Sequence, residues 1–376
     1  MSLFDLPGIL ATGFIGLIIP FLFIITLIVF FHELGHYLAG RWCGVRITTF
    51  SIGFGPELFG VNDKHGTRWR FALIPLGGYV KFLGDLNAAS QPDEEGSSRL
   101  TPDERAVSFP AQSLWKRAVI VAAGPAASFI LAIMIFSATV YTYGRVVIIP
   151  RVDAVLAESA AEEGGLKAGD VVLSIDGSNI ESFSDLQRVV ALSPGVPLAL
   201  EVDRLGEIVR LEVTPRLKSV ASPLGTQRVG QLGVSVSRDP ASMEIKREGL
   251  FSSIAWGCIE TWRVVDGTVR YLAGLFAGRT TADQLSGPVG IAKMSGEAAK
   301  LGFGALLMLA ALMSASIGFI NLLPIPMLDG GHLAFYLYEA IRGKALNATV
   351  MEWSFRVGFG LVVALTLFTL YLDIVR

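Results

Sequence analysis

Three titratable side chains, His32, Glu33 and His36, sit in the stretch FFHELGHYLAG at the end of a long apolar run. On a helix, positions 32 and 36 share one face, so their imidazoles converge while Glu33 flanks them. Two nitrogen ligands beside a carboxylate left free as a base make the H-E-x-x-H pattern of a zinc site. In a soluble protein three fixed residues in a window of five carry modest weight. Beside hydrocarbon they carry much more, because polar titratable groups persist there only when paired or functional. A catalytic zinc keeps three protein ligands and one open position, so a further ligand has to come from elsewhere. Asp329, in NLLPIPMLDGGH, is the leading candidate, since no other carboxylate occurs between Glu297 and Glu339. His332 is a rival three residues on. The chain has four histidines, three of them in these two stretches; His65, in the polar turn VNDKHG, is expected to be solvated.

The elements that must position these residues are membrane spans. Of 376 residues, 52% are hydrophobic and only 17% charged, with a mean hydropathy of +0.55. Charged residues make up about a quarter of an ordinary soluble domain, so this chain is short of them. The deficit is local: Leu6–Phe31, Ala118–Gly144 and Leu301–Leu328 carry no charge, and each exceeds the roughly 20 residues a helix needs to cross a bilayer. A shorter run, Val357–Leu372, completes four expected spans, with Arg356 able to snorkel and Trp353 to sit at the interface. The first run lacks a basic lead-in and a small-residue cleavage site, so it is expected to stay as an anchor. A net charge of −2 gives no footprint for nucleic acid, and Cys43 and Cys258 are too few for a disulfide framework.

Lys and Arg mark the cytoplasmic side. Arg41, Arg46, Lys116, Arg117, Arg342 and Lys344 flank the spans on one side, with Arg145 and Arg151 dissenting. Both zinc-type motifs then fall at cytoplasmic span ends and at similar depth, and residues 145–300 fall outside. RITTFSIGFGPELFG and TRWRFALIPLGGYVKFLG read as glycine-punctuated strands of a hairpin, too apolar for a solvated loop and expected to lie against or inside the membrane region. NAASQPDEEGSSRLTPDER is polar, acidic and expected to be mobile. Residues 249–278 have apolar positions at helical spacing but carry Glu260, Arg263, Asp266 and Arg270, which suits an interfacial amphipathic helix.

Strand-like VVIIPRV, DVVLSIDG, PLALEVDR and EIVRLEVTP surround a helix, SFSDLQRVVAL, for which Ser182 or Ser184 can serve as cap. This order, with GGLKAGDVVLSIDG, resembles a PDZ domain of the type found in bacterial proteases. Such domains capture extended peptides or C-termini by strand addition.

The HELGH and LDGGH motifs, an inserted PDZ-like domain, GPAAS at Gly124–Ser128 and LSGPVGIAK at Leu285–Lys293 together resemble the site-2 protease family of intramembrane zinc metalloproteases. The likeness covers nearly the whole chain and points to the bacterial regulated-proteolysis branch, here with a single PDZ domain. It implies that His32, His36 and Asp329 bind one Zn2+ and that Glu33 is the catalytic base. It also implies that the hairpin around Gly53, Gly55, Gly77 and Gly78 offers a strand edge to an unwound substrate, and that Asn321, Pro324 and Pro326 lie near it. Relatives carry Asn where this chain has Ser128, and Ser316 stands where some have a second Asn.

The expected architecture is thus a polytopic α-helical membrane protein with four transmembrane helices, a membrane-associated β-hairpin and an extracytoplasmic PDZ-like α/β domain. Its parts are a first span with the HExxH motif (1–40), hairpin and acidic loop (41–117), a second span (118–144) and the PDZ-like domain (145–220). A linker with interfacial helices (221–300), a third span with the LDG motif (301–332), a cytoplasmic connection (333–356) and a fourth span (357–376) follow. The expected activity is peptide-bond hydrolysis in or near the membrane segment of single-pass proteins, in a bacterial inner membrane, for example of an anti-sigma factor after a first external cut. A non-catalytic PDZ adaptor would need no zinc, and a metal transporter would need polar groups along spans that are otherwise nearly bare.

Overall fold

The computed structural model describes residues 6–85, 100–222, 225–235, 243–277 and 286–375. In chain order it opens with α1 (Leu6–Trp42), β1 (Ile47–Asn62), β2 (Arg68–Phe82), α2 (Pro102–Ala106) and α3 (Leu114–Tyr143). A mixed stretch follows: β3 (Arg145–Ile148), β4 (Ala154–Val155), α4 (Ala160–Glu163), β5 (Val171–Ile175), β6 (Ser178–Asn179) and α5 (Phe183–Leu192). Then come β7 (Leu198–Arg204), β8 (Glu207–Val213), β9 (Arg216–Ser222), β10 (Gly225–Gln231), β11 (Val234–Ser235) and β12 (Met243–Lys246). Helices close the chain: α6 (Leu250–Phe276), α7 (Pro288–Leu301), α8 (Phe303–Asn321), α9 (Asp329–Arg342) and α10 (Ala348–Val375). The chain forms two units. One comprises Met1–Ser137, Ile254–Thr268 and Ala282–Arg376, the other Ala138–Ser253 and Val269–Thr281.

Among the described residues four helices are long and apolar enough to cross a membrane: Ile15–Trp42, Leu114–Tyr143, Phe303–Asn321 and Thr349–Val375. Their packing follows from side-chain size. The face of α8 that carries Ala310, Ala311 and Ala315 is fully buried, with Ile24 and Ile28 of α1 on one side and Ala132 and Phe136 of α3 on the other. Lipid tails are as apolar as leucine, so close backbone approach over small residues is what draws such helices together.

The third apolar run does not continue as one helix through the LDG motif. Helix α8 ends at Asn321, the backbone turns through 322–328, and Asp329 starts the separate helix α9. The turn contains Pro324 and Pro326, and its carbonyls leave no room for a Cβ at Gly330 or Gly331. Residues 333–356, expected as a plain connection, are mostly α9 and the first turns of α10.

The segment expected as a simple hairpin is more folded than that. Strands β1 and β2 pair, and both bend, so residues 49–52 bond on one side to 78–82 (Phe50 with Val80, Ile52 with Gly78) and on the other to 68–71 (Phe50 with Trp69). Residues 57–62 then pair with 68–72, giving four rows in the order 57–62, 68–72, 49–52, 78–82. Gly53 and Gly55 sit at the bend with φ of +88° and +90°, a region that glycine enters without strain. A core of Tyr37, Val45, Ile47, Phe50, Val80, Phe82 and Ile120 fixes this ladder to α1 and α3. Residues 87–99 of the acidic stretch lie outside the described residues.

In the second unit, β6, β5, β7 and β8 form an antiparallel sheet, and its core joins Val172, Leu200, Val202 and Val213 to Leu186 and Val190 of α5. Ser182 caps α5, its hydroxyl accepting the Asp185 N–H. The unit does not end at residue 220: β11 pairs with β4 and β12 with β3, so residues 234–235 and 243–246 belong to it. A cavity of about 210 Å³ lies between Phe183, Leu186 and Val190 on one wall and Leu232, Gly233 and Val234 on the other. Arg145, which dissented from the charge bias, pairs with Glu181 and Glu248 within this unit.

The carboxylate of Asp170 is buried and binds Arg204 through two bonds of 2.8 Å. Burial pushes its pKa up, but the Arg204 guanidinium and the Lys167 N–H outweigh that and hold it below the usual carboxylate range. A depressed folded pKa stabilises the unit above about pH 4 and ceases to do so as pH falls through the folded value. Arg204→Met strands a buried charge and is expected to cost about 3 kcal/mol. Hydrogen exchange at Val171–Ile175 of the full chain in detergent at pH 7 should accelerate accordingly, and the gap to wild type should narrow towards pH 3.

Candidate metal centre

Helix α1 presents two working faces. Val29, Glu33 and Tyr37, spaced by four, meet the β1–β2 ladder. His32 and His36 turn instead towards α3. His36 Nδ1 lies 2.9 Å from the Ile120 carbonyl oxygen, and His32 Nδ1 lies 3.0 Å from the Ser128 hydroxyl. A carbonyl can only accept, so His36 carries its proton on Nδ1 and leaves the Nε2 lone pair facing inward. Ser128 is within 3.4 Å of the Gly124 carbonyl, to which its hydroxyl donates, so its oxygen accepts from His32 Nδ1 and fixes the same tautomer there.

The two Nε2 atoms are 3.3 Å apart. Asp329, at the first position of α9, brings Oδ2 to 3.2 Å from His32 Nε2 and Oδ1 to 3.5 Å from His36 Nε2. Lone pairs and a carboxylate this close repel unless a cation sits among them. The residues fit a metal in a second respect. Gly124 faces the pair, and a Cβ there would overlap both Nε2 atoms, so only glycine leaves the cradle open. His32, His36 and Asp329 are the three residues whose donor atoms group closely enough to hold an ion among the described residues, and two nitrogens with one oxygen suit zinc.

A cavity of about 180 Å³ adjoins the three donors, and its walls include Glu33, Tyr79, Asn321 and His332. This is well beyond the roughly 10–15 Å³ that one water requires. Glu33 accepts the backbone N–H of Val80 from the outermost row of the ladder, and residues 78–80 of that row line the cavity. Met327 also lines it, with φ of +81°, a strained left-handed conformation for a non-glycine residue two positions before Asp329.

Of the residues singled out from sequence, His32, Glu33, His36, Asp329 and Asn321 come together here. Gly53, Gly55, Pro324 and Pro326 do not line the cavity; the first two bend the ladder and the prolines shape the turn before Asp329. His332 reaches the cavity wall but packs against Phe335 and Phe355, outside the three-donor group. His65 is exposed in its turn. Ser316 does not take the supporting position; the hydroxyl of Ser314 donates to the Ser128 carbonyl at 2.8 Å. Gly124 and the Ile120 carbonyl were missed, because a glycine or a backbone group leaves no chemical signature in sequence.

A sequence model of peptidase family M50 matches residues 20–365. A protein of Rhizobium meliloti (strain 1021), named as an inferred zinc metalloprotease, is 47% identical over 355 residues, covering 94% of this chain and 95% of its own length. A similarly named protein of Agrobacterium fabrum is 46% identical over 366 residues, covering 97% of each chain. Metalloprotease MmpA of Caulobacter vibrioides is 39% identical over 387 residues, covering 97% of this chain and 96% of its own.

Two substitutions test the cradle through metal content rather than turnover. Gly124→Ala is expected to abolish stoichiometric zinc measured by mass spectrometry of the purified chain. Ser128→Ala releases the His32 ring and should weaken zinc affinity about 10–100-fold in competition with a chelating dye. Wild-type affinity in Ser128→Ala would show that the hydroxyl does not orient the ring.

Proposed function

The chain belongs to peptidase family M50, the site-2 protease family, and is an intramembrane zinc metalloprotease; from that premise we propose that His32, His36 and Asp329 hold the zinc, that Glu33 is the general base, and that single-pass membrane proteins are cut within or near their spans. The observation that carries the assignment is the convergence of the two Nε2 atoms and the Asp329 carboxylate within 3.5 Å, with Glu33 on the same cavity.

Zinc, when bound, supplies Lewis acidity towards the scissile carbonyl and lowers the pKa of a water ligand. Glu33 takes a proton from the attacking water and returns it to the leaving amine, so the carboxylate is regenerated as the C–N bond breaks. The Val80 N–H orients that carboxylate. A transmembrane helix has its carbonyls tied up in hydrogen bonds and has to unwind before attack. The outermost row of the ladder, residues 78–82, runs past the cavity and can pair with the unwound segment, replacing lost helical bonds. Asn321 is placed to hold the substrate backbone, while Gly53 and Gly55 shape the ladder that receives it. Phe54, Leu58, Phe59, Leu73, Ile74 and Leu76 of the ladder are exposed apolar side chains, which supports its lying in the membrane.

The second unit is PDZ-like in this reading, on the extracytoplasmic side of a bacterial inner membrane, and its cavity beside α5 takes the new C-terminus of a protein already cut outside. An anti-sigma factor shortened in this way is one such substrate. Helix α6, with Phe251, Ile254 and Trp262 exposed beside Arg263, suits the membrane interface. The activity lies near the cytoplasmic face.

Glu33→Gln keeps the ligand set and removes the base. Cleavage of a single-span reporter by the purified, detergent-solubilised variant is expected to fall about 10²–10⁴-fold with zinc retained. In cells the same variant should accumulate membrane stubs truncated on the outside. Unchanged cleavage by Glu33→Gln would overturn the assignment.

A further inference from the structure

The turn that joins the second and first outer rows of the ladder carries a carboxylate with four donors on it. Asp63 Oδ1 accepts the backbone N–H groups of His65 at 2.8 Å and Thr67 at 2.9 Å. Its Oδ2 accepts the Tyr37 hydroxyl at 2.8 Å and the Trp69 indole N–H at 3.2 Å. The two oxygens thus do different work: Oδ1 closes the turn, and Oδ2 ties the ladder to α1.

The tie leads back to the base. Tyr37 follows His36 directly and lies four residues after Glu33, on the same face of α1. Its ring packs edge-on against Trp69 and Phe50, and Trp69 stacks on Phe50 with centroids 4.1 Å apart. Trp69, Phe50 and Val80 are register partners across three rows of the ladder, and Val80 donates its N–H to Glu33. The path from Tyr37 through Asp63, Trp69, Phe50 and Val80 to Glu33 therefore closes on one helix face. At its far end Gly78 packs so near Val29, Glu33 and the Ser51 carbonyl that a Cβ there would be crowded, so the ladder has little freedom to slide. Burial pushes Asp63 up, but the Thr67, Tyr37, His65 and Trp69 donors together hold it well below the usual carboxylate range, so it stays charged.

We infer that Asp63 is a positioning residue for the reaction: through Tyr37 and Trp69 it sets the register of the ladder on α1 and thereby the orientation of Glu33. The inference rests on Glu33 being the base. Its effect is on kcat rather than on metal binding, because Asp63 contacts Tyr37 and Trp69 on the ladder face of α1, whereas His32 and His36 turn towards α3.

Asp63→Asn separates the two oxygens. Asparagine keeps an Oδ1 acceptor for the turn but sets an amide against the Trp69 N–H and the Tyr37 hydroxyl. With a single-span reporter and purified enzyme, Asp63→Asn is expected to lower kcat at least tenfold, a loss of the size that slight misplacement of a reacting group produces, while KM and zinc content hold. Tyr37→Phe preserves the packing and should lower kcat in the same direction. The double variant should be no slower than Asp63→Asn, since both remove one linkage. Wild-type kcat in Asp63→Asn, or fully multiplicative losses in the double variant, overturns the inference. Loss of zinc in step with kcat also overturns it, marking a general structural defect. Glu33→Gln assayed alongside keeps the two claims apart: activity surviving there removes the base assignment, whereas activity lost there but kept in Asp63→Asn removes only the role of Asp63.

Discussion

Two imidazole lone pairs and a carboxylate held within 3.5 Å of one another, in a helix bundle built to cross a membrane, repel until a cation joins them. Holding such a set together needs more than its own three side chains. The outer ring nitrogens have to be spoken for, which the Ile120 carbonyl and the Ser128 hydroxyl do from α3. The cradle has to stay empty of protein atoms, which Gly124 ensures. The carboxylate has to arrive at the right depth, which the turn at 322–328 and the Gly330–Gly331 pair achieve by starting a new helix at Asp329. The imidazoles stand on α1, their supports and the glycine cradle on α3, and the carboxylate on α9 after the turn that ends α8, so the packing of these four helices is a condition of the chemistry.

The proposed base obeys a separate constraint. Glu33 stands on the face of α1 next to the ligand face and is governed by the ladder rather than by α3. One helix thus carries the proposed metal ligands and the proposed base at adjacent positions, yet their supports come from different neighbours. A change in the ladder can alter proton transfer and leave the metal in place, and a change in α3 can do the reverse.

Much of this was legible in the sequence where the signal is local or compositional. The H-E-x-x-H spacing placed both imidazoles on one face, charge-free runs marked the spans, and the scarcity of carboxylates near the third run singled out Asp329. What was not legible depends on packing or distant pairing. The run ending at Leu328 is free of charge throughout, and hydropathy cannot see a helix end inside it because the connecting turn is apolar. Whether Ser314 or Ser316 supports Ser128 depends on how α8 is rotated against α3, which its alanine face decides. The return of 234–235 and 243–246 to the second unit joins β11 to β4 and β12 to β3 across some eighty to a hundred residues, and such short strands have no periodicity to reveal them.

The ligand set of the metal centre can be read from the zinc X-ray absorption spectrum of the purified chain in detergent. One zinc per chain is expected, with two imidazole ligands and an oxygen shell, no sulfur scatterer, and a changed oxygen shell in Asp329→Ala. A sulfur shell, a third imidazole that disappears in His332→Ala, or a spectrum indifferent to Asp329 would contradict it.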